Sequence, residues 1–274
     1  MRLVQLLAPK NLFSRIAFLL TALSPRLLSL AGNYVNPPDE PAVLASGVAS
    51  GMPSGSKISS SKVMLKHHAE KFKACLSGGG DVDLERFVAA STDFSRTLER
   101  FGDFAKPGLK DTAQNLRRVE QARSQGRVKS LRAFLADQIK SRGARLANGS
   151  PSRGSGAEAL LWSRLGLKMW VEMFKDRLTR PQTSFAQTLR NGFSRSMGRY
   201  LDRFGRAAFD MASRQSPDWS EVRRSTLLGC DAQGRCSEES FTDELKSFVK
   251  QVEPVLDRMT ELQRNAGLED QRTP

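Results

Sequence analysis

The chain has little that would support catalysis on its own. Its 274 residues include two histidines, three cysteines and only 7% aromatics. The histidines, His67 and His68, are adjacent in the lysine-flanked run 66–71, and that setting predicts a solvated helix start rather than a general base. Cys75, Cys230 and Cys236 are odd in number, and their spacing suits neither a disulfide framework nor a zinc site. Free thiols in a reducing compartment are expected, with Cys75 in the core. Gly51, Gly55, Lys57 and Ser59 miss the spacing of a phosphate-binding loop, and neither a nucleophile elbow nor a dinucleotide fingerprint is present. The chain therefore reads as a non-enzyme without metal or cofactor. A run of about 20 apolar residues is also missing, so no spanning helix is expected. Alternating Val/Ile/Thr runs are nearly absent as well, and the expected fold class is all-α.

Positive charge is plentiful, with 43 Lys+Arg against 29 Asp+Glu and a formal net charge of +14. It is unevenly spread: residues 106–149 carry eleven bases and three acids, whereas residues 236–274 carry nine acids and five bases. An excess of this kind suits nucleic acid or an anionic membrane surface, and composition does not choose between them.

Residues 1–38 contain Arg2, Lys10, Arg15 and Arg26 but no acid, around an apolar stretch at 16–23. They read either as a targeting segment or as an extension. A Pro/Gly/Ser-rich linker follows, so residues 1–60 form an extension and 61–274 a single helical domain. Within that domain helical stripes are expected in the segment opened by Asp81, at 106–123, 127–146, 156–178, 184–212 and 217–228, and from Phe241 to Leu262. Pro254 should bend or restart the last of these. The stretch 148–156 reads as a loop inside the domain, and its Asn148-Gly149-Ser150 as a chance glycosylation match.

Two segments carry functional chemistry. Asp111, Asn115 and Arg118 are spaced by four and three residues, which places them on one helix face about one turn apart. A carboxylate, a carboxamide and a guanidinium there could hold a polyol or an amide; alone, the trio reads more readily as a solvated face with an ion pair. Trp162 lies in the aliphatic run Ala159-Leu160-Leu161-Trp162-Ser163-Arg164-Leu165-Gly166-Leu167, either as core or as a flat platform for a sugar ring.

Together these segments resemble the glycolipid transfer protein family. The run 83–120, then EALLWSRLGL, then SFAQTLRNGFSRSMGRYL follow the family's order of an amphipathic helix, a D-x3-N-x2-K helix, an LLWLxRGL helix and a segment with tyrosine, leucine and histidine. The C-terminal EPVLDRMTELQRNAGLED is similar to its closing helix, so the resemblance spans roughly residues 70–270. It implies a two-layer helical sandwich that binds one sphingolipid without covalent chemistry, probes membranes peripherally as a monomer, and works in the cytoplasm unless residues 1–38 direct it to an organelle.

By the same resemblance Asp111 would hold the ceramide amide and a headgroup hydroxyl, Asn115 and Arg118 the headgroup, and Trp162 the first sugar. Phe193 stands where the family has its histidine, which leaves Asn191 or Arg195 as substitute amide contacts. The ceramide 1-phosphate branch has cations where this chain has Asn115, Trp162 and Glu158, so a glycosphingolipid headgroup is favoured. Trp170, Trp219 and Phe193 are candidate interfacial residues, with a core role equally open to Trp170. Alternative readings are ceramide 1-phosphate transfer, a non-transferring lipid sensor, and a helical nucleic-acid binder using the basic 106–145 face.

Overall fold

The computed structural model describes residues 65–76, 78–141, 150–231 and 234–269. The 1–60 extension and its targeting reading lie outside them, as do Asn148 and Gly149 of the glycosylation match. The described chain forms nine α-helices: α1 Leu65–Lys73, α2 Leu84–Leu98, α3 Lys106–Gly126, α4 Leu131–Lys140, α5 Gly156–Thr179, α6 Phe185–Ser196, α7 Arg203–Ser213, α8 Trp219–Thr226 and α9 Glu238–Asn265. Short 3-10 turns at Glu99–Phe101, Asp103–Ala105 and Gly198–Tyr200 link some of them.

Most helix starts follow from two residue types, aspartate and serine. Asp83, Ser130, Ser155, Ser184, Asp202, Asp218 and Ser237 each stand at an N-cap and accept a hydrogen bond from a backbone N–H three residues on. An oxygen there satisfies a donor the helix cannot, worth about 1 kcal/mol per cap. The expected 184–212 segment is two helices, because the chain leaves α6 through the Gly198–Tyr200 turn and Asp202 caps a new start. The expected 127–146 helix is shorter too: Arg127, with φ 52°, closes α3 in the left-handed region, and α4 starts only after Ser130.

Pro254 does not interrupt α9, which runs continuously from Glu238 to Asn265. The proline faces solvent while Val252, Val255 and Leu256 beside it are buried, so the carbonyl it leaves unpaired can reach water and packing keeps the helix intact.

The helices lie in two layers. α1 packs on α2 and α9, while α5 packs on α3 and α6; contacts of α9 with α5 and of α2 with α3 join the layers. Phe72, Phe94 and Phe248 of the first layer meet Phe174 of the second, with Phe94 and Phe248 4.9 Å apart and Phe174 and Phe248 5.5 Å apart. Two glycines permit the closest approaches of α5 to its neighbours. A Cβ on Gly192 would lie 2.5 Å from the Met169 carbonyl oxygen, and one on Gly156 would lie 2.6 Å from the Ala122 Cβ.

Two expectations about individual residues are corrected. His68 is buried rather than solvated: Nε2 is 2.8 Å from Thr97 Oγ1, Nδ1 is 3.4 Å from Asp93, and the ring edge meets Phe94. Its place on the inner face of the short α1 outweighs the flanking lysines. Cys230 and Cys236 are joined by a disulfide, against the expected free thiols. The chain reverses between them: Asp231 N–H donates to the Arg235 carbonyl, and the Asp231 carboxylate accepts from Arg235 Nε at 2.7 Å. Cys75 is a buried free thiol that burial pushes up to about 12, well above the range of a reactive thiolate.

Candidate functional site

α3 and α5 present the expected polar residues to one place. Asn115, buried on α3, donates from Nδ2 to Asp111 Oδ2 at 3.0 Å, which fixes the carboxylate one turn above it. Burial raises the Asp111 carboxyl to about 7; the Arg118 charge and the Asn115 hydrogen bond oppose this and Glu158 adds to it. Glu158 itself closes the start of α5, accepting from Gly154 N–H at 2.6 Å while its own N–H donates to Ser155 Oγ at 3.0 Å. Arg118 is exposed and acts on Asp111 through its field alone.

Asp111 and Trp162 border the same cavity of about 120 Å³, which is partly open to solvent. Its walls are mainly apolar: Phe104, Pro107 and Leu109 at the start of α3, Met169 and Trp170 on α5, Leu189 on α6, and Met197, Phe209 and Ala212 beyond it. Polar groups enter from Asp111 and Thr112 on one side and Ser213 on the other, and no lysine or arginine lines it. Trp162 is half-buried, its ring edge-to-face with Tyr200 at 6.3 Å. An apolar chamber with a few convergent polar groups at its border is the usual form of a site for an amphiphilic ligand.

The substitute amide contacts are drawn elsewhere. Asn191 Nδ2 donates to Asp176 Oδ2 at 2.9 Å, and Arg195 Nη1 lies 3.3 Å from Asp176 Oδ1. Asp176 is fully buried on α5 and gathers these donors along with Arg180, so neither Asn191 nor Arg195 borders the cavity. Phe193 is buried and stacks on Phe209 with ring centroids 3.8 Å apart and planes 8° from parallel. The position expected to hold an amide donor is thus an aromatic pair.

Sequence reading missed Ser213 and Tyr200. Ser213 Oγ donates to the Asp210 carbonyl at 2.7 Å and accepts from Arg190 Nη1 at 3.3 Å. No spacing rule pointed to it, because it ends a helix whose start was not recognised.

Of the interfacial candidates Trp219 and Phe193 are corrected and Trp170 takes the core role also open to it, since all three are buried in the core. Trp219 packs against Phe185 and Phe241, with the Arg177 guanidinium over its ring. Among the described residues the most exposed large apolar side chains are instead Phe204, 68% exposed, and Met211, 53% exposed. They are seven residues apart and share the outer face of α7, whose inner face contributes Phe209 and Ala212 to the cavity wall. Among the described residues no helix is long and apolar enough to cross a membrane, and no group of three or more His, Cys, Asp or Glu side chains is placed to hold a metal.

Comparison with known proteins agrees with this architecture. No curated protein sequence matches the chain. Among solved structures, the mouse ceramide-1-phosphate transfer protein in its apo form is 20% identical with a TM-score of 0.66, over 77% of this chain and 100% of that one. The human ceramide-1-phosphate transfer protein, in complex with 12:0 ceramide-1-phosphate, is 21% identical with a TM-score of 0.67, over 77% and 99%. A FAPP2 structure, described as selecting simple glycosphingolipids using the GLTP fold, is 18% identical with a TM-score of 0.63, over 80% and 98%. At these identities the likeness establishes a shared fold. The sequence profile of the glycolipid transfer protein (GLTP) family matches residues 82–227, more than half of the chain, and the chain belongs to that family.

Proposed function

We propose that the protein binds one sphingolipid and carries it between membranes, with a preference for an uncharged glycosyl headgroup. The observation that carries this reading is the meeting of Asp111, held by Asn115, with the half-buried Trp162 at the border of an otherwise apolar cavity. The carboxylate can accept from an amide N–H and a sugar hydroxyl, the indole face can lie under a sugar ring, and the cavity walls suit hydrocarbon. Only binding and release are required, without a covalent step.

Charge supports the headgroup preference. A phosphate needs cations close by, yet no lysine or arginine lines the cavity; at Asp111 the exposed Arg118 charge outweighs that of Glu158, which keeps an anionic headgroup at the rim as the competing case. Ceramide 1-phosphate, the ligand in the human structure, is the competing headgroup. A buried amide carbonyl without a donor would cost on the order of 1–3 kcal/mol, and the Phe193–Phe209 pair supplies none. That favours modest affinity and fast release, with Ser213 lining that side of the cavity.

The outer face of α7 is the docking surface in this reading. Phe204 and Met211 would enter the bilayer interface, and the basic Arg203, Arg206 and Arg214 on the same helix or just past its end would meet anionic headgroups. The deciding experiment is transfer of a fluorescent short-chain glycosphingolipid between vesicles. Asp111→Val and Trp162→Ala should each abolish transfer while keeping the helical circular-dichroism spectrum. Normal transfer by both variants overturns the site. Saturable binding without transfer by the wild type makes the protein a lipid sensor instead.

A further inference from the structure

We infer that Tyr200 and Glu269 form a C-terminal clasp that positions Trp162, making the end of the chain part of the headgroup site. Glu269 lies just past α9, 107 residues beyond Trp162 in sequence, yet it is buried beside α5. Arg164, itself only 2% exposed, donates from Nη2 to both Glu269 oxygens at 2.9 and 2.8 Å, and its Nη1 bonds Thr260 Oγ1 on α9. Leu268, fully buried, anchors the same segment. A buried guanidinium–carboxylate pair of this kind holds its geometry firmly, because loss of either partner strands a buried charge.

The clasp reaches the site through Tyr200. The Tyr200 hydroxyl donates to Glu269 Oε1 at 3.0 Å and accepts from Arg199 Nη2, so the phenol is held from both sides. Its ring meets Trp162 edge-to-face at 6.3 Å, a geometry that favours one orientation of the indole. Burial and the Glu269 carboxylate both raise the phenol pKa, which keeps the hydroxyl protonated and able to donate. Among the described residues no side-chain hydrogen bond holds the Trp162 indole, which packs against the core and borders the cavity. Tyr200 and Glu269 are therefore positioning residues, acting on the ligand only through the indole.

The positioning claim stands on the ligand-free protein, whereas its consequence for headgroups rests on the function proposed above, so the test has two arms. In the first, the full chain is labelled with 5-fluorotryptophan and its ¹⁹F spectrum recorded without lipid, the Trp162 resonance being assigned from Trp162→Phe. Tyr200→Phe, which keeps the ring and the Arg164–Glu269 pair, should shift or broaden the Trp162 resonance and leave that of Trp219 in place. Glu269→Gln should do the same, with a lower melting temperature. A Trp162 resonance unchanged in a folded Tyr200→Phe protein overturns the clasp, and a Glu269→Gln protein that only melts earlier shows a purely structural pair.

The second arm compares binding of a short-chain glucosylceramide with that of the same ceramide lacking the sugar. Tyr200→Phe should lower the preference for the sugar by about three- to tenfold, the worth of one hydrogen bond, and leave ceramide affinity unchanged. Equal losses for both lipids overturn the role in headgroup choice. Failure of the wild-type protein to bind either lipid refutes the proposed function, while the ¹⁹F arm still decides the clasp.

Discussion

Two titratable groups shifted by burial pull the acid stability of this protein in opposite directions. Asp111 titrates near 7 in the folded state against 3.8 when unperturbed, so between those values the folded chain holds a proton that the unfolded chain releases. Its contribution falls as pH rises through that window, by at most about 4 kcal/mol. His68 is lowered from 6.5 to about 4 by burial, with Asp93 opposing and His67 and Lys71 adding to the shift, so the unfolded chain takes up a proton there first. Its contribution falls as pH drops through 6.5 toward 4, by at most about 3 kcal/mol. The two effects largely offset each other between pH 4 and 6.5. Urea midpoints should therefore rise on acidification from pH 7 to 4.5 in His68→Gln and fall in Asp111→Asn, and identical pH slopes in both variants would disprove these titrations. Ligand binding adds a third expectation. If the ionised carboxylate accepts from the lipid, affinity for a glycosphingolipid should weaken as pH drops from 8 to 6, and Asp111→Asn should remove that dependence. Much of this site was legible in the sequence, because offsets of three and four fix which α3 residues share a face. His68 was not, since local charge around a residue does not reveal which side of a short helix faces the core.

At the scale of elements, periodicity located the helices but blurred their ends. The 184–212 stripe reads as one helix because apolar spacing survives a turn. The break depends on Gly198 and the Asp202 cap, signals that are local and easily overridden. Pro254 misled in the other direction, because the packing that holds α9 straight comes from α1 and α5, which sequence does not display. Replacing it with alanine restores a hydrogen bond on the exposed face and should stabilise the protein by on the order of 1–3 kcal/mol in urea unfolding. Gly192→Ala should destabilise it by about 1–3 kcal/mol, since the new Cβ would meet backbone and cannot be accommodated by a side-chain rotation. A neutral result would mean that the α5–α6 approach is looser than these distances.

For the whole molecule, the +14 charge and the outer face of α7 make a joint prediction. Binding to anionic vesicles should weaken with added salt, while the Phe204→Ala/Met211→Ala double variant should slow transfer roughly tenfold at any salt concentration without lowering the melting temperature. Unchanged transfer would place the docking surface elsewhere. The backbone contact at Gly192 also determines which wall of the chamber can move. With α6 seated against the Met169 carbonyl of α5, these two helices cannot part without breaking the core, so under the proposed function the wall expected to yield to hydrocarbon is α7. That helix is tethered by the Gly198–Tyr200 turn, and it turns Phe209 and Ala212 to the chamber and Phe204 and Met211 outward. Hydrogen exchange should then be fastest in α7 and slowest across α5 and α6, which would make the element that touches the membrane also the door through which the lipid passes.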